Sequence, residues 1–118
     1  QDLSMRELAI ELNELAATAR AGKTAPADMS GGTLTITNIG VLGIDTGTPI
    51  INPGEAAILA VSSAREQAMV VDGKVAIRSI MKMTLSADHR IVDGATAANF
   101  TNAIRQKLEN IDLWRALV

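Results

Sequence analysis

Near the start of the chain, apolar residues recur at helical spacing and predict an amphipathic helix over residues 4–21. Ser4 and Glu7 have the spacing of a capping box, and Gly22 is a natural helix stop. The apolar stripe of this helix consists of Met5, Leu8, Leu12, Leu15 and Ala19. Such a stripe needs a sheet or a partner to cover it, and core packing is a more common role for it than binding.

The middle of the chain has the patterns of β-strands. Residues 33–37 alternate, with Leu34 and Ile36 on one face and threonines on the other, which predicts a strand with one polar side. Residues 38–54 are rich in glycine and proline and predict a long, shaped loop. Residues 55–62 predict a continuous apolar strand that is buried on both sides.

The second half of the chain predicts a hairpin, a long strand and a second helix. Residues 69–71 and 74–77 flank the dipeptide Asp72-Gly73, a favoured hairpin turn. From Ser79 onward, one face of a long strand carries Met81, Met83, Leu85, Ala87 and His89. Asp93 can cap the helix that follows, whose apolar side consists of Ala97, Phe100, Ile104 and Leu108. This order of elements favours an α/β fold of the α+β two-layer sandwich type, with a mixed sheet packed by helices.

The composition limits the classes of function. With 118 residues, 47% hydrophobic and 20% charged, the chain is expected to form one small globular domain over residues 1–118. A net charge of −2 and only 2% aromatic residues give no basic field or stacking platform for nucleic acid. No apolar run approaches the ~20 residues of a membrane span, and no membrane partner is expected. The absence of cysteine excludes disulfides and thiolate metal ligands, and no metal site is predicted.

The candidate chemistry centres on His89, the only histidine of the chain. Because cysteine and tyrosine are absent, few other groups can move a proton near neutral pH, whereas imidazole has an unperturbed pKa of about 6.5. An isolated histidine at a strand end is more often structural than catalytic. The surrounding residues favour a catalytic base, since His89 opens a His-x-x-x-Asp-Gly motif that ends at Asp93 and Gly94.

Two segments carry a resemblance to a known family. The first, residues 31–40, contains Gly-Gly-Thr followed by Thr-Asn-Ile-Gly, and the second, residues 85–94, contains the His-x-x-x-Asp-Gly motif. Together they resemble the catalytic domain of dihydrolipoamide acyltransferases, the core components of 2-oxo acid dehydrogenase complexes. The resemblance implies a chloramphenicol-acetyltransferase-like fold, and it identifies the chain as the C-terminal portion of such a domain.

The resemblance also implies roles for three residues. An acyl group would move between dihydrolipoamide and coenzyme A, and His89 would take the proton from the attacking thiol. Thr37 stands where the family usually carries a serine that stabilises the oxyanion, and threonine keeps that hydroxyl donor. Asp93 corresponds to an Asp or Asn of the family, and a supporting role combined with helix capping is the favoured interpretation.

Further implications concern substrates, partners and location. Asn38 and the region of Ser62 to Ala64 would line the channel for coenzyme A, which is a substrate, while the lipoyl group would lie on a domain absent from this chain. The family places its active sites between subunits of a homotrimer, and trimers build larger symmetric cores. The expected partners are the 2-oxo acid decarboxylase and dihydrolipoamide dehydrogenase components. A bacterial cytoplasmic location is favoured over the mitochondrial matrix.

Three alternatives remain open at this point. The family's catalytic domain is longer than this chain, so the chain can instead be a non-catalytic scaffold or a truncated fragment with an incomplete site. A chloramphenicol-acetyltransferase-like enzyme with a hydroxyl acceptor is the weaker third possibility. Among acyl groups, acetyl or branched-chain groups are favoured over succinyl.

Overall fold

The structure, a computed structural model, describes residues 2–116. The regular elements of these residues are α1 (Met5–Arg20), β1 (Leu34–Asn38), β2 (Ala57–Val71), β3 (Lys74–Ala87), α2 (Gly94–Glu109) and α3 (Ile111–Ala116). Short 3-10 turns occupy Pro26–Met29 and Gly40–Leu42. Contacts within the chain group the described residues into two units, residues 32–105 and residues 2–31 with 106–116. The single domain expected over residues 1–118 stays a prediction.

The first helix forms where the sequence predicts it. The Glu7 N–H donates to Ser4 Oγ at 3.3 Å and the Ser4 N–H donates to Glu7 Oε2 at 2.8 Å, which completes the capping box. The hydrogen bond from the Ser4 hydroxyl lowers the pKa of Glu7. Gly22, with φ +67°, takes the left-handed conformation that ends the helix. The apolar stripe is only partly buried, since its large members, Met5, Leu8, Leu12 and Leu15, are 43–59% exposed.

The three strands form one mixed sheet in the order β1-β2-β3. Strand β1 is parallel to β2, and β2 is antiparallel to β3, which confirms the predicted fold class. The core lies in the central strand, where Ala57, Ile58, Leu59 and Ala60 are 1–8% exposed. The predicted strand over residues 55–62 is therefore confirmed as buried, although it begins two residues later.

Strands β2 and β3 are longer than the sequence pattern indicates. The predicted strands over residues 55–62 and 69–71 are one continuous strand that pairs with β3 up to the Asp72-Gly73 turn. The hairpin is confirmed, but its outer part is exposed on both faces and carries Arg65 and Glu66. A two-sided exposed ribbon has no alternation of apolar and polar residues, so periodicity alone cannot find it.

Strand β1 alternates as predicted, but its threonine side is the better covered one. Thr35 and Thr37 are half-buried, whereas Ile36 is 67% exposed. The Thr35 hydroxyl donates to Glu55 Oε2 at 2.6 Å, so this face is held by a polar contact rather than by apolar packing.

The predicted position of His89 on strand β3 was wrong. The sequence pattern puts His89 on the face of the long strand, but the strand ends at Ala87 and His89 lies in the following turn. The chain turns here because the Asp88 carbonyl accepts hydrogen bonds from the N–H groups of Ile91 at 3.0 Å and Val92 at 2.9 Å.

A β-bulge interrupts the pairing of β2 with β3. Val61 pairs with Met83 and Ala64 with Met81, so two residues of β2 lie opposite one of β3. Gly40 lies directly against this bulge, because a Cβ atom on Gly40 would be 2.6 Å from the carbonyl carbon and oxygen of Ser62. The loop after β1 can therefore reach the bulge only with glycine at this position.

Among residues 2–116, no helix is both long and apolar enough to cross a membrane.

The contact between Gly40 and the bulge predicts a stability effect. We expect Gly40→Ala to lower the free energy of unfolding by about 1–3 kcal/mol, since the added methyl group meets backbone that cannot rotate away. Gly94→Ala is the matched control, because nothing lies within 4 Å of its added Cβ. Thermal unfolding of both variants measures the difference, and equal melting temperatures would contradict the close approach.

Candidate active site

His89 lies in the turn between β3 and α2, and its side chain is exposed. It lines an open cavity of about 400 Å³ whose polar and charged walls include Asn52, Glu55, Asp88 and Arg90. The imidazole is therefore accessible to a substrate and lies among groups that donate or accept hydrogen bonds. Among residues 2–116, no three His, Asp or Glu side chains are grouped so that they could hold a metal ion.

A hydrogen-bond network lines one side of the His89 cavity. Asn52 Nδ2 donates to Thr35 Oγ1 at 2.8 Å, and the Thr35 hydroxyl donates to Glu55 Oε2 at 2.6 Å. The network links the start of β1 to the loop before β2. Sequence reasoning did not single out Asn52 or Glu55 as site residues. The sequence feature that could have indicated them is the polar Asn-Pro-Gly-Glu segment at the start of a buried strand.

Asp93 is the N-cap of α2. Its Oδ1 atom accepts the Thr96 N–H at 2.7 Å, and its carbonyl accepts the Ala97 N–H at 3.0 Å. The hydrogen bond from the Thr96 backbone lowers the pKa of Asp93. The capping interpretation is confirmed, and α2 begins at Gly94 as a result. A part of Asp93 in catalysis stays a prediction.

Thr37 lies on β1, half-buried, and faces a second cavity of about 430 Å³. The walls of this cavity are uncharged and are formed mainly by Ile39, Ile44, Thr46, Thr48, Pro49, Ile50 and Ile58. A hydroxyl on a largely apolar, uncharged wall can donate a hydrogen bond to a carbonyl oxygen without competition from a charged neighbour.

The sheet register keeps Thr37 and His89 apart within one chain. Thr37 pairs with Ala60, and Ala60 pairs with Thr84, three residues before the end of β3 at Ala87. At about 3.3 Å per residue and about 4.8 Å between strands, the backbones of Thr37 and Ala87 are roughly 14 Å apart. The cavities of Thr37 and His89 also have no lining residue in common.

The three residues predicted to contact coenzyme A lie near the bulge. Asn38 ends β1, and its Oδ1 atom accepts the Gly40 N–H at 3.0 Å. Ser62 is only 3% exposed, and its hydroxyl has no hydrogen-bond partner among the described residues. Ala64 is exposed and is the first paired residue after the bulge. Their role in binding stays a prediction.

The loop that borders the Thr37 cavity is tied to the bulge. The Ser63 hydroxyl donates to Asp45 Oδ1 at 2.7 Å, and Arg65 Nη2 donates to the Gly43 carbonyl at 3.0 Å. The Arg65 guanidinium also forms an ion pair with Asp45. The Ser63 hydrogen bond is the main cause of the lowered pKa of Asp45. The bulge therefore fixes the position of one wall of this cavity.

Two solved structures are closely similar to this one in fold. A dihydrolipoamide acetyltransferase of Azotobacter vinelandii is 42% identical in sequence, with a TM-score of 0.87. The match covers 93% of this chain and 45% of the Azotobacter chain. Its structure belongs to crystallographic and enzymatic work on the role of a serine, a histidine and an asparagine in catalysis. The cubic core of a pyruvate dehydrogenase multienzyme complex is 40% identical with a TM-score of 0.87, over the same shares of the two chains.

The relatives found by sequence are named as acyltransferase components, but the acyl groups in their names differ. The succinyltransferase component of the 2-oxoglutarate dehydrogenase complex of Bartonella vinsonii is 47% identical over 92% of this chain and 26% of its own length. The acetyltransferase component of the Bacillus subtilis pyruvate dehydrogenase complex is 46% identical over 93% of this chain and 25% of its own length. The chain thus spans about a quarter of these relatives and under half of the solved chains.

The family description of the 2-oxoacid dehydrogenases acyltransferase catalytic domain matches residues 1–116. This match includes the Gly-Gly-Thr strand, the Thr-Asn-Ile-Gly segment and the His-x-x-x-Asp-Gly turn. With the fold and the relatives in agreement, the chain belongs to the catalytic-domain family of the 2-oxoacid dehydrogenase acyltransferases.

Proposed function

We propose that this chain contributes both halves of an acyl-transfer site that moves an acyl group between dihydrolipoamide and coenzyme A. One observation carries the proposal. The serine, histidine and asparagine studied in the Azotobacter enzyme have the same separations along its chain as Thr37, His89 and Asp93 have here. The proposal assigns the catalytic roles to these three positions in a 2-oxo acid dehydrogenase complex.

His89 acts as the general base. A free thiol has a pKa of roughly 8.5, so little of it is thiolate at neutral pH, and the thiolate is the nucleophile. The exposed imidazole in an open cavity can accept this proton as the sulfur attacks the thioester carbonyl. When the tetrahedral intermediate collapses, the bond from the carbonyl carbon to the leaving sulfur breaks, and the imidazolium returns the proton to the departing thiolate.

Thr37 stabilises the oxyanion that forms on the attacked carbonyl. Its hydroxyl belongs to a cavity with uncharged walls, where a hydrogen bond to a developing negative charge has its largest effect. A succinyl group would bring a free carboxylate into a cavity whose lining residues include no cation, which favours an acetyl or branched-chain acyl group.

Each site draws on two copies of the chain. Since the sheet register separates Thr37 from His89 within one chain, the base of one subunit meets the hydroxyl of its neighbour, as expected for a homotrimer. Assembly into a larger symmetric core is supported by the similarity to a cubic pyruvate dehydrogenase core. The decarboxylase and dihydrolipoamide dehydrogenase components are the proposed partners, and the lipoyl group arrives on another domain.

Coenzyme A enters near the bulge, at Asn38, Ser62 and Ala64. The buried Ser62 hydroxyl has no partner among the described residues, and an unsatisfied buried hydroxyl costs about 1–3 kcal/mol. A polar group of a bound substrate can offset that cost. The Bartonella and Bacillus relatives are bacterial proteins, which supports the favoured cytoplasmic location.

The role of His89 is tested by His89→Ala in the full-length protein that contains this chain. We expect the turnover number for acyl transfer to fall by about 10²–10⁴-fold, because general-base catalysis is lost. Glu11→Ala, an exposed change on α1, is the control and is expected to leave turnover unchanged. Thioester exchange between acyl-dihydrolipoamide and coenzyme A is the assay. Near-normal turnover of His89→Ala would exclude the assigned base, whereas no thioester exchange by the unchanged protein would favour the scaffold alternative.

The role of Thr37 is tested by a matched pair of variants. We expect Thr37→Val, which keeps the shape but removes the donor, to lower the turnover number by about 10²–10³-fold. Thr37→Ser keeps the hydroxyl and is expected to retain turnover within a few-fold of the wild type. Steady-state kinetics with both substrates separate the two variants. The oxyanion assignment fails if valine and serine give the same rate.

A further inference from the structure

Asp88 and Arg90 flank His89 in the sequence and bond to each other across it. Asp88 Oδ1 accepts the Arg90 N–H at 3.0 Å and Arg90 Nε at 2.9 Å, while Oδ2 accepts Arg90 Nη2 at 2.6 Å. The carboxylate and the guanidinium therefore form a side-on pair that spans the turn carrying His89.

The backbone of Asp88 ties the same turn to the sheet. Its N–H donates to the Ala56 carbonyl at 2.9 Å, at the residue preceding β2. Its carbonyl accepts the N–H groups of Ile91 and Val92 at 3.0 and 2.9 Å. Asp88 is thus the residue through which the turn is both anchored and closed.

The imidazole itself has no such anchor. Among residues 2–116, the His89 side chain makes no hydrogen bond, and it is exposed in an open cavity. The direction in which its ring nitrogens point therefore depends on the backbone of the turn. A base must approach its proton within hydrogen-bond distance, and small changes of direction alter the rate strongly.

The Asp88–Arg90 pair has properties suited to local positioning rather than to global stability. The two side chains are 21% and 88% exposed, and exposed pairs contribute little to the free energy of unfolding. The hydrogen bonds from Arg90 lower the pKa of Asp88 to about 2. The pair stays charged throughout the pH range in which a histidine titrates.

We infer that Asp88 and Arg90 are positioning residues that hold the His89 turn in the orientation required for proton transfer. This inference rests on the proposed function of His89. The competing role is direct: the exposed guanidinium of Arg90, in the wall of the His89 cavity, would bind an anionic group of a substrate. The two roles predict different kinetic constants.

The experiment is a double-variant cycle in the full-length, assembled protein. Asp88→Asn and Arg90→Lys each break the side-on pair, and each is combined with His89→Ala, with residual rates measured at high enzyme concentration. Asp112→Asn, which breaks an exposed pair with Arg115 on α3, is the matched control. Steady-state constants for both substrates and melting temperatures are measured for every variant.

The inference predicts that Asp88→Asn and Arg90→Lys each lower kcat about tenfold. The KM values of both substrates stay unchanged, the melting temperature stays within a few degrees, and the control behaves as wild type. In the His89→Ala background the same two changes have no further effect, because their influence passes through the imidazole. A residue with a purely structural role would still lower the residual rate.

Two results would overturn the inference while leaving the proposed function intact. One is a persistent rate loss in the His89→Ala background, and the other is a raised KM for coenzyme A in Arg90→Lys with kcat unchanged. If His89→Ala alone retains near-normal turnover, the proposed function fails first and the inference fails with it.

Discussion

The hydrogen-bond register of the three-stranded sheet is the constraint on which the remaining structure depends. Parallel pairing of β1 with β2 and antiparallel pairing of β2 with β3 fix Thr37, Ala60 and Thr84 in one row. His89 follows only after β3 has passed the start of β2. The same pairing that buries the central strand therefore places the two proposed catalytic groups in separate cavities, and a complete site requires a second copy of the chain.

The two cavities differ in chemical character in a way that suits thioester exchange. The one at His89 contains charged and amide groups, where a proton can be accepted and passed on. The one at Thr37 is uncharged, where a hydrogen bond to an oxyanion is most effective. When the two cavities meet at a subunit interface, His89 activates the sulfur nucleophile, and Thr37 polarises the carbonyl group that this sulfur attacks.

Local signals allowed much of the fold and site to be predicted. The caps at Ser4 and Asp93 act within one helical turn, and their residue types suffice to locate α1 and α2. The exposed outer hairpin has no periodicity, so its continuity with the buried part of β2 was missed. The Asn52, Thr35 and Glu55 network was also missed, because it joins residues that are distant in sequence and meet only when β1 pairs with β2.

The most direct test of a shared site is complementation between two inactive variants. His89→Ala and Thr37→Val chains of the full-length protein carry different tags, are co-expressed, and are purified as mixed assemblies. If base and hydroxyl come from different subunits of a trimer, about one quarter of the sites in a random equal mixture contain both intact groups, and about one third do in trimers selected to contain both chains. Acyl transfer is expected to recover to about that fraction. Mixed assemblies that stay as inactive as either parent would contradict the account.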